Sequence, residues 1–187
     1  MWIPDRQEAL DLLRHYIKNE NLVKHCVATE AIMRSLAARF GADEQLWGIT
    51  GLLHDLDLEL LDNKLDNHAR ETVRILEGKG FPKEGLDAIL THNDTLGVPC
   101  TETFHWALSA AETITGLVVA CTLVYPSRKI ADVRPKSIRK RMKEKRFAAN
   151  VDRDRILFCE EIGIELNEFI LLSLEAMKGA AVELGLV

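Results

Sequence analysis

Apolar residues recur at intervals of three and four positions over most of the chain, which is the spacing of amphipathic α-helices. Pro4 suits the first position of a helix, and Asn21 is predicted to cap a second helix that Gly41 ends. Asp43 is predicted to open a third helix. The predicted helices cover residues 4–17, 22–40, 43–53, 68–77, 82–92, 101–124, 135–145, 153–162 and 166–184.

No segment alternates apolar and polar residues for long enough to predict a β-strand. The apolar stripes of the predicted helices are broad enough to bury a core. We therefore predict an all-α fold: one domain over residues 1–187, built of about eight to ten helices. Its C-terminal part, from about 126 to 187, is expected to be a basic and helical extension of the bundle.

Composition supports a soluble globular domain, because 47% of the residues are hydrophobic and 28% are charged. The net charge of −5 hides an uneven distribution. Residues 126–155 carry 12 Lys and Arg against 4 Asp and Glu, a net charge of +8, and the rest of the chain carries −13. The acidic body argues against general nucleic-acid binding, but the basic segment could still meet a phosphate.

The N-terminus lacks a basic segment followed by an apolar run, so no secretory signal is predicted. The apolar stretch at 117–125 looks too short to span a bilayer, which needs about 20 residues. The four cysteines form no Cys-x-x-Cys pair and are expected to be reduced. We therefore expect a cytoplasmic protein with no membrane partner, and the sequence leaves its oligomeric state open.

His54 and Asp55 follow the apolar segment Gly51-Leu52-Leu53, where a helix is expected to be buried. A buried carboxylate is costly unless it is paired or bound to a cation. Imidazole nitrogen together with carboxylate oxygen suits Zn, Mn, Fe, Co or Ni. The alternative is a His-Asp pair at a helix end without a metal ion.

Other candidate ligands lie on separate apolar helices. His25 and Glu112 are each surrounded by apolar residues, and His92 closes a further predicted helix. A single histidine of this kind is more often a core residue. Several of them, together with an acid at position 112, favour a shared metal site.

The order His25, then His54-Asp55, then Glu112 resembles the HD superfamily of metal-dependent phosphohydrolases. The segments 54–57, 117–126, 127–129 and 132–145, with His68 and His92, are further similar to a bacterial and archaeal group of HD-domain proteins. The resemblance runs over nearly the whole chain and implies a helical HD domain. It departs at Glu112, since the last ligand of the family is normally aspartate. Glutamate is one methylene longer and could reach the same ion or miss it.

The resemblance implies a divalent transition-metal ion held by His25, His54, Asp55 and Glu112. In relatives with two ions the counterpart of Asp55 bridges them, and here His68 and His92 stand in the order of the additional ligands. The alternative roles of these two histidines are substrate binding, for His68, and protonation of the leaving group, for His92.

Two further polar residues have competing interpretations. Asp57 is interpreted first as a helix-end cap or solvated acid and only second as a site residue. His105 lies seven positions before Glu112, about 10 Å along a helix, which is too far for the same ion. It is expected to be a structural or pocket-edge residue.

The stripe at 136, 139, 140 and 143 is expected to be a solvated surface. Arg128 and Lys129 differ, because they follow the long predicted helix that carries Glu112 and could return over the site to bind phosphate. These residues favour the hydrolysis of a small phosphoester, with a nucleotide as the first choice of substrate. In this reaction Asp55 is expected to orient or deprotonate a metal-activated water. The alternative is a degenerate HD domain that binds metal or nucleotide as a sensor without turnover.

Overall fold

The computed structural model describes residues 1–61 and 65–187, and all regular structure in these ranges is helical. The helices are α1 (Arg6–Tyr16), α2 (Glu20–Phe40), α3 (Glu44–Leu53), α4 (Arg70–Glu77), α5 (Lys83–Thr91), α6 (Thr103–Leu123), α7 (Pro135–Met142), α8 (Arg153–Ile156), α9 (Phe158–Glu161), α10 (Leu166–Gly179) and α11 (Ala181–Leu184). Short 3₁₀ turns lie at Leu65–Asn67, Asp94–Leu96 and Ile130–Asp132. The all-α prediction is confirmed.

The close pairing of α2 and α3 positions the first part of the site. Gly41 adopts the left-handed conformation, with φ of 64°, and turns the chain so that α3 packs along α2. At Gly51 a Cβ atom would lie only 3.1 Å from the carbonyl oxygen of Thr29 and 2.9 Å from the side chain of Met33. Glycine therefore lets the two helices approach, and α3 ends directly afterwards, with His54 as its C-cap.

Helix α6 runs through the middle of the fold and packs against α2, α5 and most of the C-terminal helices. It is 21 residues long and, by length and composition, apolar enough to cross a membrane, and the short apolar stretch at 117–125 overlaps only its C-terminal end. However, 61% of its apolar window is buried inside the fold, as is typical of the core helix of a soluble protein.

The segment after α6 packs back onto the bundle. Helix α10 contacts α2, α6 and α7, and its Phe169 and Leu174 are fully buried. Ile138 of α7 and Ile156 of α8 are also buried. The predicted division of the chain, one domain with an extension from about 126, stays a prediction, but these contacts show an apolar core shared by both parts.

Several predicted boundaries differ from the observed ones. Pro4 lies before α1 rather than at its first position, and Asp5 caps the helix: its side chain accepts a hydrogen bond from the backbone of Glu8, whose side chain caps Asp5 in return. Asn19, rather than Asn21, caps α2. The last predicted helix divides at Ala180 into α10 and α11. In each case apolar spacing located the helix but not the residue that satisfies its free N–H groups.

Candidate metal centre

Four histidines surround the carboxylate of Asp55. His25 comes from α2, and His54 and Asp55 come from the end of α3. His68 precedes α4, and His92 caps the end of α5. Except for His25, which is half-buried, these side chains are almost completely buried. The fold therefore gathers five polar groups from four segments of the chain at one place.

The two oxygens of Asp55 serve different histidines. Oδ2 lies 3.5 Å from Nε2 of His25 and 3.3 Å from Nε2 of His54. Oδ1 lies 3.1 Å from Nε2 of His68 and 3.4 Å from Nε2 of His92. These atoms define two donor clusters that share one carboxylate: cluster one is His25, His54 and Asp55, and cluster two is His68, His92 and Asp55.

The other ring nitrogen of each histidine has an acceptor of its own. Nδ1 of His54 lies 2.8 Å from the carbonyl oxygen of Gly51, and Nδ1 of His92 lies 2.5 Å from that of Ile89. A carbonyl can only accept, so each Nδ1 donates and each Nε2 presents its lone pair to Asp55.

His25 also carries its proton on Nδ1, as the hydrogen bonds of Thr115 show. The hydroxyl of Thr115 donates to the carbonyl oxygen of Glu112 at 2.6 Å, so its oxygen accepts from Nδ1 of His25 at 2.9 Å. The Nε2 atoms of His25 and His54 are then 3.3 Å apart with both lone pairs directed into cluster one. A cation between them removes this repulsion, and a set of imidazole and carboxylate donors fits divalent transition-metal ions.

Asp57 holds His68 in place. Its Oδ1 accepts from Nδ1 of His68 at 2.6 Å, and its Oδ2 accepts from the backbone N–H of Thr72 at 3.0 Å. The interpretation of Asp57 as a solvated acid was wrong, since the residue is fully buried, but its bond to Thr72 is a contact with the first turn of a helix, α4. Because α3 ends at Leu53, residues 54–61 form turns rather than a helix, and Asp57 can face the same site as Asp55.

The sequence matches the HD domain family over residues 22–123, more than half of the chain. The chain belongs to the HD domain family. The matched range contains every member of both clusters. Proteins of this family typically bind divalent metal ions and act as hydrolases. No solved structure matches this HD domain.

The clusters of the HD domain differ in their charge. Burial, opposed by Asp55, lowers the pKa of His54 to about 3, so cluster one holds a neutral ring at physiological pH. For His68 burial also disfavours the charge, but hydrogen bonds with Asp55 and Asp57 outweigh it and raise the pKa to about 9. Burial opposes ionisation of Asp55 too, yet the histidines around it hold the pKa of its carboxyl well below the usual value.

Glu112 of the HD domain lies beside the clusters without belonging to either of them. Its Oε1 accepts from the hydroxyl of Thr113 at 2.6 Å and pairs with Nη2 of Arg155 at 3.3 Å. Arg155 also donates to the carbonyl oxygen of His92 and to Oδ2 of Asp94, the latter at 3.1 Å. The structure thus brings Glu112 to the site but directs its carboxylate to an arginine.

A cavity of about 400 Å³ opens beside the clusters of the HD domain, a size that suits a small molecule. Its lining includes His25, Asp55, His68, His92, Glu112 and Arg155. Arg155 was not predicted as a site residue. It belongs to the basic segment at 126–155, but the order of residues does not indicate which cation of that segment packs against the site.

Two predicted cations of the HD domain lie elsewhere. Arg128 and Lys129 are exposed, and the described lining of the cavity contains neither of them. The reason is that α6 continues from Glu112 to Leu123, about 16 Å by helix rise, before the chain turns. His105 is buried, accepts from the backbone N–H of Thr101 at 3.3 Å and likewise lies outside this lining, as expected for a structural residue.

Proposed function

We propose that the protein is a metal-dependent phosphohydrolase that acts on a small phosphoester, with nucleotides as the first class of substrate to examine. The observation that carries the proposal is the sharing of the Asp55 carboxylate between two pairs of histidines, each with its Nε2 atom within 3.5 Å of a carboxylate oxygen. This arrangement supports two ions bridged by one carboxylate. The chemistry that such ions supply when bound is Lewis acidity, which lowers the pKa of a water and draws charge from a phosphoryl oxygen.

In this proposal His25 and His54 would hold one divalent ion and His68 and His92 would hold the other, with Asp55 as a member of both clusters. Asp55 also orients the attacking water from the floor of the cavity. The alternative roles of His68 and His92 apply if only cluster one is loaded: His68 then contacts the substrate, and His92 gives a proton to the leaving oxygen. Mn, Fe, Co, Ni and Zn all remain suitable, because each accepts nitrogen and oxygen donors.

We assign phosphate binding to Arg155 rather than to Arg128 and Lys129. Arg155 lines the cavity, and its guanidinium is held by Asp94 and Glu112 beside the clusters. A planar guanidinium suits the oxygens of a phosphate group. Glu112 then acts as the residue that orients Arg155, unless binding of an ion draws its carboxylate over to the metal.

The experiment is to purify the protein without chelator or nickel resin, measure its metal content by mass spectrometry, and assay phosphate release from a panel of nucleotides and sugar phosphates with each metal. His54→Gln and Asp55→Asn should lose bound metal and turnover. His15→Gln is the matched control, because His15 is exposed and stands outside both clusters. Turnover that survives in both cluster variants would overturn the proposal.

A second candidate function is binding of a metal or nucleotide without turnover, as in a sensor. The observation that favours it is the pairing of Glu112 with Arg155, which keeps the carboxylate out of both clusters. Glu112→Asp discriminates the two candidates. A rise of turnover from near zero would support the sensor, and turnover in the wild-type protein that falls in the variant would support the enzyme.

We also propose that the protein works in the reducing environment of the cytoplasm. All four cysteines are free thiols in the structure, and three of them are buried. Disulfides persist mainly in oxidising compartments. Localisation of a tagged protein by fractionation tests the proposal.

A further inference from the structure

A second cavity adjoins the metal centre and has a different character. It has a volume of about 480 Å³ and lies in the groove between α2 and α6, closed at one side by the end of α11. Three residues line both cavities: His25, Thr115 and Gly116. The two cavities are therefore neighbours that meet at a ligand of cluster one and at the threonine that orients it.

The groove has a direction and a length. Its α6 wall runs from Gly116 through Val119 and Ala120 to Leu123, and its α2 wall runs from Ala28 back to Asn21. Each wall spans seven steps along its helix, which is about 10 Å by helix rise. The middle of the groove is aliphatic, since Leu184 and Leu186 cover it from the third side.

One part of the groove wall is polar and positively charged. Asn21 and Lys24 line it, and Lys24 forms no ion pair with any residue of the ranges 1–61 and 65–187 that the structure describes. A ligand that extended from the metal centre into this groove would lie against aliphatic walls and within the same cavity as an ammonium group and an amide. These are donors for a carboxylate, a phosphate or a hydrogen-bond acceptor.

Gly116 lies where the two cavities meet, in the interior of α6. Glycine inside a helix costs about 1 kcal/mol relative to alanine, so its presence needs a local reason. The residue is exposed, and a Cβ atom there would lie 3.0 Å from Cγ2 of Val151, which lines the first cavity. A larger side chain at 116 would stand in the passage or push Val151 into the metal cavity.

We propose that the second cavity is the subsite for the organic part of the substrate, an inference that rests on the proposed phosphohydrolase function. The phosphate lies in the first cavity between the clusters and Arg155, and the organic group extends along the aliphatic groove past Gly116. The chemistry it fits is an extended group of about 10 Å, apolar over its middle, with an anion or hydrogen-bond acceptor at the end that meets Lys24. An ω-carboxyalkyl chain has all of this chemistry, and a nucleoside has the length and the terminal hydrogen-bond acceptors.

Phosphonates test the subsite by binding, because their C–P bond resists hydrolysis and turnover is not needed. The metal-loaded protein would be titrated calorimetrically with methylphosphonate, octylphosphonate and 7-carboxyheptylphosphonate. A nucleoside monophosphonate would be titrated in the same way, to compare a nucleoside with an alkyl chain as the organic group. Octylphosphonate should bind at least about tenfold more tightly than methylphosphonate, since burial of each methylene contributes up to about 0.8 kcal/mol. The terminal carboxylate should add a further gain.

Two substitutions test which residues are responsible for the gains in affinity from chain length and from the carboxylate. Gly116→Leu should reduce the affinity ratio of octylphosphonate to methylphosphonate toward one, and Lys24→Met should remove only the gain from the carboxylate. Gly179→Leu is the matched control, because Gly179 is an exposed helical glycine of α10, and a Cβ atom added there would meet no other atom within 4 Å. It should leave both ratios as they are in the wild-type protein.

Equal affinities for methylphosphonate and octylphosphonate, or a ratio that Gly116→Leu does not change, would overturn the subsite. Failure of the proposed function looks different: no phosphoester in the panel is hydrolysed while the length preference persists. A preference for the nucleoside over the alkyl chain, lost in Gly116→Leu, would support the subsite and identify nucleotides as its source of ligand. A preference for the alkyl chain over the nucleoside, lost in Gly116→Leu, would support the subsite and identify alkyl phosphates as its source of ligand.

Discussion

Nδ1 of His68 lies 2.6 Å from Oδ1 of Asp57, and both side chains are buried. The contact orients His68, because the carboxylate of Asp57 accepts the Nδ1 proton and the ring then directs Nε2 into cluster two. Asp57 itself is anchored by the backbone N–H of Thr72 at the start of α4. The orientation of one metal ligand is thereby tied to the packing of a neighbouring helix.

Asp57→Asn should weaken the ion of cluster two more than that of cluster one. Loss of a partner that orients a ligating histidine typically costs about 10- to 100-fold in metal affinity. We expect metal content to fall from about two ions to about one after dialysis, measured by mass spectrometry. Asp132→Asn is the control, since Asp132 is an exposed acid. Equal loss of both ions in Asp57→Asn would contradict the division into two clusters.

Metal binding should stabilise the fold. An ion that binds only the native state at 100 times its dissociation constant adds about 2.7 kcal/mol to the free energy of unfolding. Removal of metal by a chelator should therefore lower the melting temperature of the wild-type protein. The same treatment should hardly change the melting temperature of Asp55→Asn, in which the carboxylate shared by both clusters has lost its charge. An equal drop in both proteins would show that the chelator acts elsewhere.

The sequence predicted the features that depend on local patterns, but not those that depend on contacts between distant segments of the chain. The all-α fold and the segment His54-Asp55 followed from helical spacing and a buried carboxylate, which are local features. Asp57 was misinterpreted, because its partners His68 and Thr72 lie 11 and 15 positions later in the chain and no local pattern shows these contacts. The position of Arg155 depends on how α8 packs on α6, which no local pattern encodes.

Arg155→Met should raise the KM for a phosphoester substrate at least about tenfold, because one charge-assisted hydrogen bond contributes about 1.5–3 kcal/mol. Arg128→Met and Lys129→Met are the matched controls, and they also test the prediction from sequence. If Arg155 binds phosphate, steady-state kinetics should show little change in the two control variants. A rise of KM in Arg128→Met or Lys129→Met with none in Arg155→Met would restore the prediction that the sequence made.

Gly51→Ala should lower the free energy of unfolding by about 1–3 kcal/mol, the usual range for overpacking. The added methyl group would meet the carbonyl oxygen of Thr29 and the side chain of Met33, and α3 would have to move away from α2. That movement would also displace His54, so metal affinity should fall with stability. Gly179→Ala, in open space, should instead stabilise the protein slightly. Urea unfolding of the two variants measures the difference.

The buried thiols should resist alkylation in the native protein. Burial raises the pKa of Cys159 to about 12 and that of Cys121 to about 11, and it raises the pKa of Cys26 well above its usual value. The reactive thiolate is therefore scarce at pH 8.5, and only the half-buried Cys100 should react with a maleimide. Since unfolding returns these three pKa values to about 8.5–9, stability should fall as pH rises above that range. Mass spectrometry of the labelled protein checks the first expectation, and rapid labelling of Cys159 would contradict it.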